Sequence, residues 1–445
     1  MANKSIFLSF SSLMMILSGI FLFNVKATAI PEFARKYNTS CTTCHVAITK
    51  RNAFGEAFRR NGYILPYNDA ELVREKPIKL GADAWKELWP EAIWPGELPA
   101  SFPIAALTIF RTNYNPQTEP GNTKFDFHMP LIFNLIFGGS FGQDVMFFGE
   151  WSAFAAGVNA RGLQRLFFQF NNVVGPDNIF NIRAGRFEPG ITDGYTSTQR
   201  LTSGYQITID YNPTGNWKAR DPQSGIELNG IINHNIYYAT GILNGESRTI
   251  SDPGDQKDFY GRLAYLLGGE GFAGKNINYG DVNNTFSDNS FMAGVYGYKG
   301  SKNKIPLNDG TTYNNIFHRI GFDINLHISK LDLIGGLISG EDNNPDNDLR
   351  ILKSLAYFGE VNYSFYPWLI GILRVEKAES WKSNEDRDNF INVIPNITIL
   401  YRANIRFSLE GFIRIMGDRN INGNIISAQN DKPFRELMLN LMAAF

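Results

Sequence analysis

Apolar and polar side chains alternate along most of this chain, in stretches of about ten residues separated by breaks rich in Gly, Asn and Pro. From Phe125 to Phe137 one parity collects Phe125, Phe127, Met129, Leu131, Phe133, Leu135 and Phe137, while the other holds Asp126, His128 and Asn134. Successive strand side chains point to opposite faces, so the first set predicts an apolar stripe and the second a more polar face. The C-terminus repeats the pattern, with Leu437, Leu439, Leu441, Ala443 and Phe445 set against Glu436, Met438, Asn440 and Met442. Similar segments lie near 102–114, 123–138, 142–156, 162–174, 178–189, 223–233, 234–244, 257–268, 290–300, 314–328, 331–340, 351–365, 367–378, 389–401, 403–416 and 433–445. They number about 16, an even count of strands long enough to cross a bilayer when tilted.

The predicted fold class is therefore all-β: an antiparallel, porin-like outer-membrane β-barrel over 102–445, with the apolar parity toward lipid and the other lining the lumen. Short turns are expected at Gly138-Gly139-Ser140, Gly175-Pro176-Asp177, Ser329-Lys330, Tyr366-Pro367 and Tyr401-Arg402 on the periplasmic side. Long polar loops at 341–350, 379–388 and 417–432 would face outside. An even count puts both barrel ends in the periplasm. Residues 269–289 disobey, being rich in Gly and Asn where a short turn is due; they are either an insertion or a missed hairpin. A soluble sandwich also alternates, but needs neither a secretory leader nor a terminal aromatic strand. No fixed-period repeat points to a propeller.

The leader itself is legible at the other end. Lys4, the apolar run Ile6 to Val25 and Ala27-Thr28-Ala29 read as a secretory signal over 1–29 with cleavage after Ala29. A retained anchor is the alternative, interrupted by Asn24 and Lys26. The formal charge is -1, and losing Lys4 and Lys26 takes it to about -3, a balance that suggests no nucleic-acid partner. Beyond the leader no apolar run is long enough for a transmembrane helix.

Residues 30–66 read differently from the barrel. Cys41-Thr42-Thr43-Cys44-His45 uses both cysteines of the chain. C-x-x-C-H is the attachment pattern of a c-type haem: each thiol forms a thioether to one vinyl group, and the adjacent imidazole reaches the iron. A disulfide would not need His45. One covalent haem c is thus expected on Cys41, Cys44 and His45, with His45 as metal ligand. The stretch Asn52 to Arg60 predicts a short helix bringing Phe54 and Phe58 to one face and stopped by Asn61-Gly62. Phe33, Tyr37, Phe54, Phe58 and Tyr63 could pack on a porphyrin, and so short a segment would need its cofactor to hold together. Residues 67–101, with Trp85, Trp89 and Trp94, read as a connector or plug.

The opposite iron ligand is not local, because residues 30–101 hold no Met and no His besides His45. Strand parity offers His128, Met146, His327, Met416, Met438 and Met442 as lumen-type positions, with His128 and Met438 foremost; otherwise the iron is five-coordinate or weakly ligated. Glu341, Asp342, Asp346, Asp348, Glu385, Asp386 and Asp388 could attract Fe(II) or be ordinary loop acidity. Arg35, Lys36, Arg59 and Arg60 could pair with haem propionates or simply be solvated.

Phe33 to Tyr37, the C-x-x-C-H motif and Asn52 to Tyr63, followed by a porin-like barrel, resemble the fused outer-membrane monohaem c-type cytochrome-porins of Fe(II)-oxidising bacteria. The resemblance implies a cytochrome segment in or at the barrel, electrons taken from extracellular Fe(II) or another external donor, and delivery to a periplasmic c-type cytochrome. The specific part covers only 33–63. Two other functions fit the sequence: a diffusion porin for a small solute with the haem domain as plug or sensor, and, less well, a peroxidase-like haem enzyme.

Overall fold

The structure is a computed structural model. It describes residues 32–65, 69–74, 78–79, 85–88, 97–98, 104–116, 123–141, 144–155, 162–192, 199–214, 217–245, 256–274, 289–307, 309–383, 385–416, 419–421, 424–426 and 434–445. The leader 1–29 and most of 67–101, including Trp89 and Trp94, lie outside these residues. Sixteen antiparallel strands close into one barrel. The first eight are β1 (Ile104–Tyr114), β2 (Phe125–Phe141), β3 (Val145–Ala155), β4 (Gly162–Phe170), β5 (Asn181–Phe187), β6 (Gln223–Ile232), β7 (Ile236–Leu243) and β8 (Asp258–Gly268). The second eight are β9 (Ser290–Pro306), β10 (Thr312–Ile328), β11 (Leu331–Asp342), β12 (Leu352–Tyr366), β13 (Leu369–Lys382), β14 (Glu385–Arg402), β15 (Ile405–Met416) and β16 (Phe434–Ala444). β16 closes on β1 from Leu437↔Tyr114 to Ala444↔Leu107, so the sheet has no free edge. Each expected strand is present, and the all-β barrel is borne out.

Alternation is inverted relative to a soluble protein. On β12 the buried set includes Glu360 and Asn362 while Tyr357, Val361, Tyr363 and Phe365 are exposed; on β16 Leu437 and Leu439 face out and Met438 and Asn440 face in. Lipid can cover apolar side chains that water would expel, whereas inward polar groups must find partners. They do: Arg262 makes a two-pronged pair with Asp323 at 2.6 and 2.9 Å, Arg319 meets Asp342 at 2.8 Å, and Arg374 lies between Glu360 and Glu376. Among the described residues no helix is long and apolar enough to cross a membrane; the crossing is made by strands.

Four expected breaks are placed elsewhere, the Tyr366-Pro367 turn by one residue, to Pro367-Trp368, since β12 runs to Tyr366. Gly138, Gly139 and Ser140 are not a turn but the paired end of β2, facing Phe148, Phe147 and Met146. The stretch 379–388 is mostly strand, because Trp381 and Lys382 pair with Asp386 and Glu385. The Tyr401-Arg402 turn lies at Ala403-Asn404, since β14 runs to Arg402. β8 pairs directly with β9 through Gly268↔Ser290, so the stretch 269–289 hides no missed hairpin of the barrel. The described part of that stretch turns inward and buries Phe272 against Tyr237 and Met292.

Between β5 and β6 a long connection enters the lumen. Gly190 donates to Glu227, Ser203 to Glu410 and Ile207 to Glu376, while Arg262 donates to the Ile191 carbonyl and Arg374 to Thr202. These anchors lie on β6, β8, β13 and β15, so the connection spans the barrel. Ile191, Ile207, Ile209 and Trp217 bury themselves against inward Tyr260, Tyr298 and Phe317.

Candidate functional site

A small segment sits in the end of the lumen that carries both barrel termini and the short turns, the periplasmic end of an outer-membrane barrel. Its helices are α1 (Glu32–Tyr37), α2 (Cys41–Cys44) and α3 (Ala53–Arg60). Arg35 donates to the Ile104 carbonyl at the start of β1, and Lys36 reaches Ser140 at the end of β2. On the opposite side Lys50 pairs with Asp332 near the start of β11. Asn61 donates to the Ala273 carbonyl at 3.1 Å and accepts from Asn178 at 2.5 Å, tying α3 to the stretch after β8 and to the β4–β5 turn. From above, the Arg51 N–H donates to Gln199 of the luminal connection at 2.5 Å.

The C-x-x-C-H motif is held by the helix that follows it. Asn52 caps α3 by accepting from the Gly55 N–H at 2.8 Å. Its amide also donates to the Thr43 carbonyl at 3.0 Å, and its backbone N–H donates to the Cys44 carbonyl at 3.0 Å. Gly55 packs so closely that a Cβ would stand 2.1 Å from the Cys44 oxygen. α3 ends where Gly62, at φ +71, takes the left-handed conformation that glycine favours. Glu56, buried in α3, bonds Arg51 at 2.5 Å and Arg59 at 2.8 Å; burial opposes its ionisation, but Arg51, Arg59 and Arg60 hold the carboxyl well below its usual range.

Cys41, Cys44 and His45 converge on one cavity of about 530 Å³. The segment supplies Phe33, Tyr37, Phe54, Phe58 and Tyr63; the barrel wall supplies Ile136, Phe148, Phe167 and Phe187. Tyr63 is stacked between Phe33 and Phe148, with centroids 5.0 and 5.4 Å away, joining the two halves. Gly138 is small because Phe33 comes there: a Cβ would lie 3.2 Å from its ring.

This cavity fits a c-type haem. The two thiols are unbridged, and burial pushes Cys44 up to about 12, unlike the lowered thiols of redox-exchange sites. Burial, reinforced by Arg51, lowers His45 to about 4, so the imidazole is neutral and able to ligate. Arg51 and Arg59 line the cavity with charge suited to propionates, whereas Arg35 and Lys36, expected in that role, do not line it and reach Ile104 and Ser140 of the wall. Arg60 instead lies 4.7 Å over Phe272. Arg51 and the barrel half of the cavity had no signal in the local sequence.

The candidate distal ligands lie elsewhere. His128 is paired with Asp126 at 3.3 Å toward the outer end of β2, and Met438 is buried beside the inner face of β15. Neither lines the cavity, nor do Met146, His327 or Met442; the Met416 side chain lies outside the described residues. The acidic outer positions are mostly paired: Asp346 and Asp348 with Lys382, Asp348 with Arg350, Glu341 with Lys353 and Asp342 with Arg319. Tyr211 donates to Asp388, while the Glu385 and Asp386 side chains are not described. Salt-bridged carboxylates make a poor cation funnel.

Closure, an apolar outer surface and short turns at one end define a porin-like barrel of the bacterial outer membrane, with a helical segment in its periplasmic mouth. Solved structures agree on the fold. OmpT of Vibrio cholerae superposes with a TM-score of 0.51 at 10% identity, covering 83% of this chain and 100% of that one. The anion-selective porin from Comamonas acidovorans gives 0.52 at 11% identity, covering 78% and 99%. The outer membrane channel DcaP of Acinetobacter baumannii gives 0.50 at 12%, covering 77% and 96%. No protein-family model and no curated protein sequence matches this chain.

Proposed function

We propose that this protein passes electrons across the outer membrane through one haem c attached to Cys41 and Cys44 and ligated by His45. The observation that carries this reading is the convergence of all three residues on an aromatic cavity shared between segment and barrel wall. Bound there, the haem supplies a one-electron Fe(III)/Fe(II) couple. Cys41 and Cys44 tether it, His45 offers a neutral nitrogen, Phe33, Phe58 and Tyr63 exclude water, and Arg51 and Arg59 answer its carboxylates. The donor is extracellular Fe(II) or another external donor, each Fe(II) giving one electron to the haem to become Fe(III), and the acceptor is a periplasmic c-type cytochrome that meets the segment at its open mouth. The resemblance to cytochrome-porins supports the direction of flow.

The test is optical. Full-length protein purified in detergent is expected to show a Soret band and a covalent haem stain lost in Cys41→Ala and Cys44→Ala, and to be reduced by Fe(II). A haem that no external donor reduces would defeat the electron-transfer reading. A diffusion porin with a haem plug is the second reading, favoured by the shared barrel architecture of channels and porins. The packed lumen weighs against it, since inward Arg262, Asp323 and Arg374 side chains are fully buried. Ion conductance with the haem segment in place would support the porin.

A further inference from the structure

We propose that the iron held at His45 has an open sixth position and that the barrel-wall side of the cavity binds a small neutral ligand, a diatomic gas such as carbon monoxide. This rests on the haem reading above. Histidine and methionine are the usual partners of a proximal histidine, and their inventory here is closed: five histidines and nine methionines in the whole chain. Met1, Met14 and Met15 belong to the leader stretch. His318 and Met129 face outward and are exposed. His234 lies in the turn after β6, where its carbonyl accepts from Phe272. His327 lies 3.8 Å from Asp332, and the Met292 sulfur accepts from Arg262. His128 and Met438 are placed as described; Met146 is buried behind the wall in the cluster of Phe167 and Phe187, and Met442 is buried opposite Ile109, neither lining the cavity. Met416 is the last residue of β15, at the end of the barrel away from the segment.

Among the described residues lining the cavity there is no methionine, no lysine and no second histidine. Three tyrosines line it, each held by other contacts, Tyr237 against Phe272 and under Arg60. Tyr37 donates to Asp69 at 2.6 Å, and Tyr63 is clamped in its stack. The wall presents Ile136, Phe148, Phe167 and Phe187 to the motif, with Arg165, Glu188 and Arg183 beside them, Arg183 being paired with Glu227 at 3.0 Å. Arg165 is paired with both Glu150 and Glu188, so its charge is already answered and an incoming anion would meet a carboxylate. Phenyl walls and a neutralised arginine suit an uncharged ligand.

The experiment uses full-length protein in detergent, reduced with dithionite and exposed to carbon monoxide. A high-spin ferrous spectrum whose Soret band sharpens and shifts on adding the gas is expected. A low-spin ferrous spectrum unchanged by carbon monoxide, with haem c present, overturns the open position and leaves the haem reading standing. Absence of haem c overturns both. In a second measurement His128→Ala, Met146→Leu, Met438→Leu and Met442→Leu are each expected to leave the spin state unchanged. A low-spin wild-type spectrum that turns high-spin in any of them identifies that side chain as the ligand and overturns the proposal.

Discussion

The barrel and the segment in its mouth bury opposite things. The barrel turns Glu360, Asn362, Arg262 and Asp323 inward and shows Leu437, Leu439 and Tyr357 to lipid, whereas the segment hides Phe54, Phe58 and Leu65 and gathers its charge around one buried carboxylate, Glu56. A closed sheet satisfies its backbone ring-wise, so its weak points are the buried ion pairs. The segment has three short helices and one aromatic stack, so its weak points are single close contacts. Breaking an inward pair should therefore hurt most. Asp323→Ala leaves the Arg262 guanidinium buried with one prong lost to each missing oxygen, an expected loss of about 3–5 kcal/mol. Denaturant unfolding of the refolded barrel measures it, and a loss below about 1 kcal/mol would mean that water reaches Arg262.

The outward face breaks by the opposite substitution. Leu439→Arg puts a charge on the lipid side of β16 and is expected to cost about 2–4 kcal/mol near the membrane midplane, whereas Met438→Leu, one residue away and facing in, should cost less than about 1.5 kcal/mol. Equal costs would remove the inside-out assignment. In the segment, Gly55→Ala forces its methyl to within 2.1 Å of the Cys44 carbonyl and should cost about 1–3 kcal/mol. The loss should show as protease cleavage within 32–65 while the barrel's gel mobility is unchanged. A barrel that loosens as well would show that the two regions share one cooperative unit.

The barrel was legible because lipid imposes one rule on every strand, and Phe125 to Phe137 states it without help from distant residues. Misreadings came where a residue answers to a remote partner. Gly138 reads as turn punctuation, yet it is small because Phe33 packs on it. Lys382 reads as loop, yet it ends β13 and its ammonium reaches Asp346 at 3.0 Å. The luminal connection after β5 carries no period of its own, since Ile191, Ser203 and Ile207 are placed by side chains of strands far along the chain. The site divides the same way. Cys41, Cys44 and His45 are contiguous and could be named at once, while Phe148, Phe167 and Arg165 line the cavity only after the barrel closes.

The smallest expected effect separates the two jobs of Asn52. Asn52→Ala removes both the cap on the Gly55 N–H and the amide that holds the Thr43 carbonyl, and should cost about 1 kcal/mol or slightly more. Asn52→Asp keeps a carboxylate oxygen to cap α3, at the helix end where negative charge is favoured, but has no N–H for Thr43. If α3 alone matters, the aspartate variant should match wild type in protease resistance of the segment. If the carbonyl clamp orients the motif, Asn52→Asp should behave like Asn52→Ala. We expect the second outcome, because the Asn52 side chain and its own N–H together hold two successive carbonyls, of Thr43 and Cys44, in front of His45.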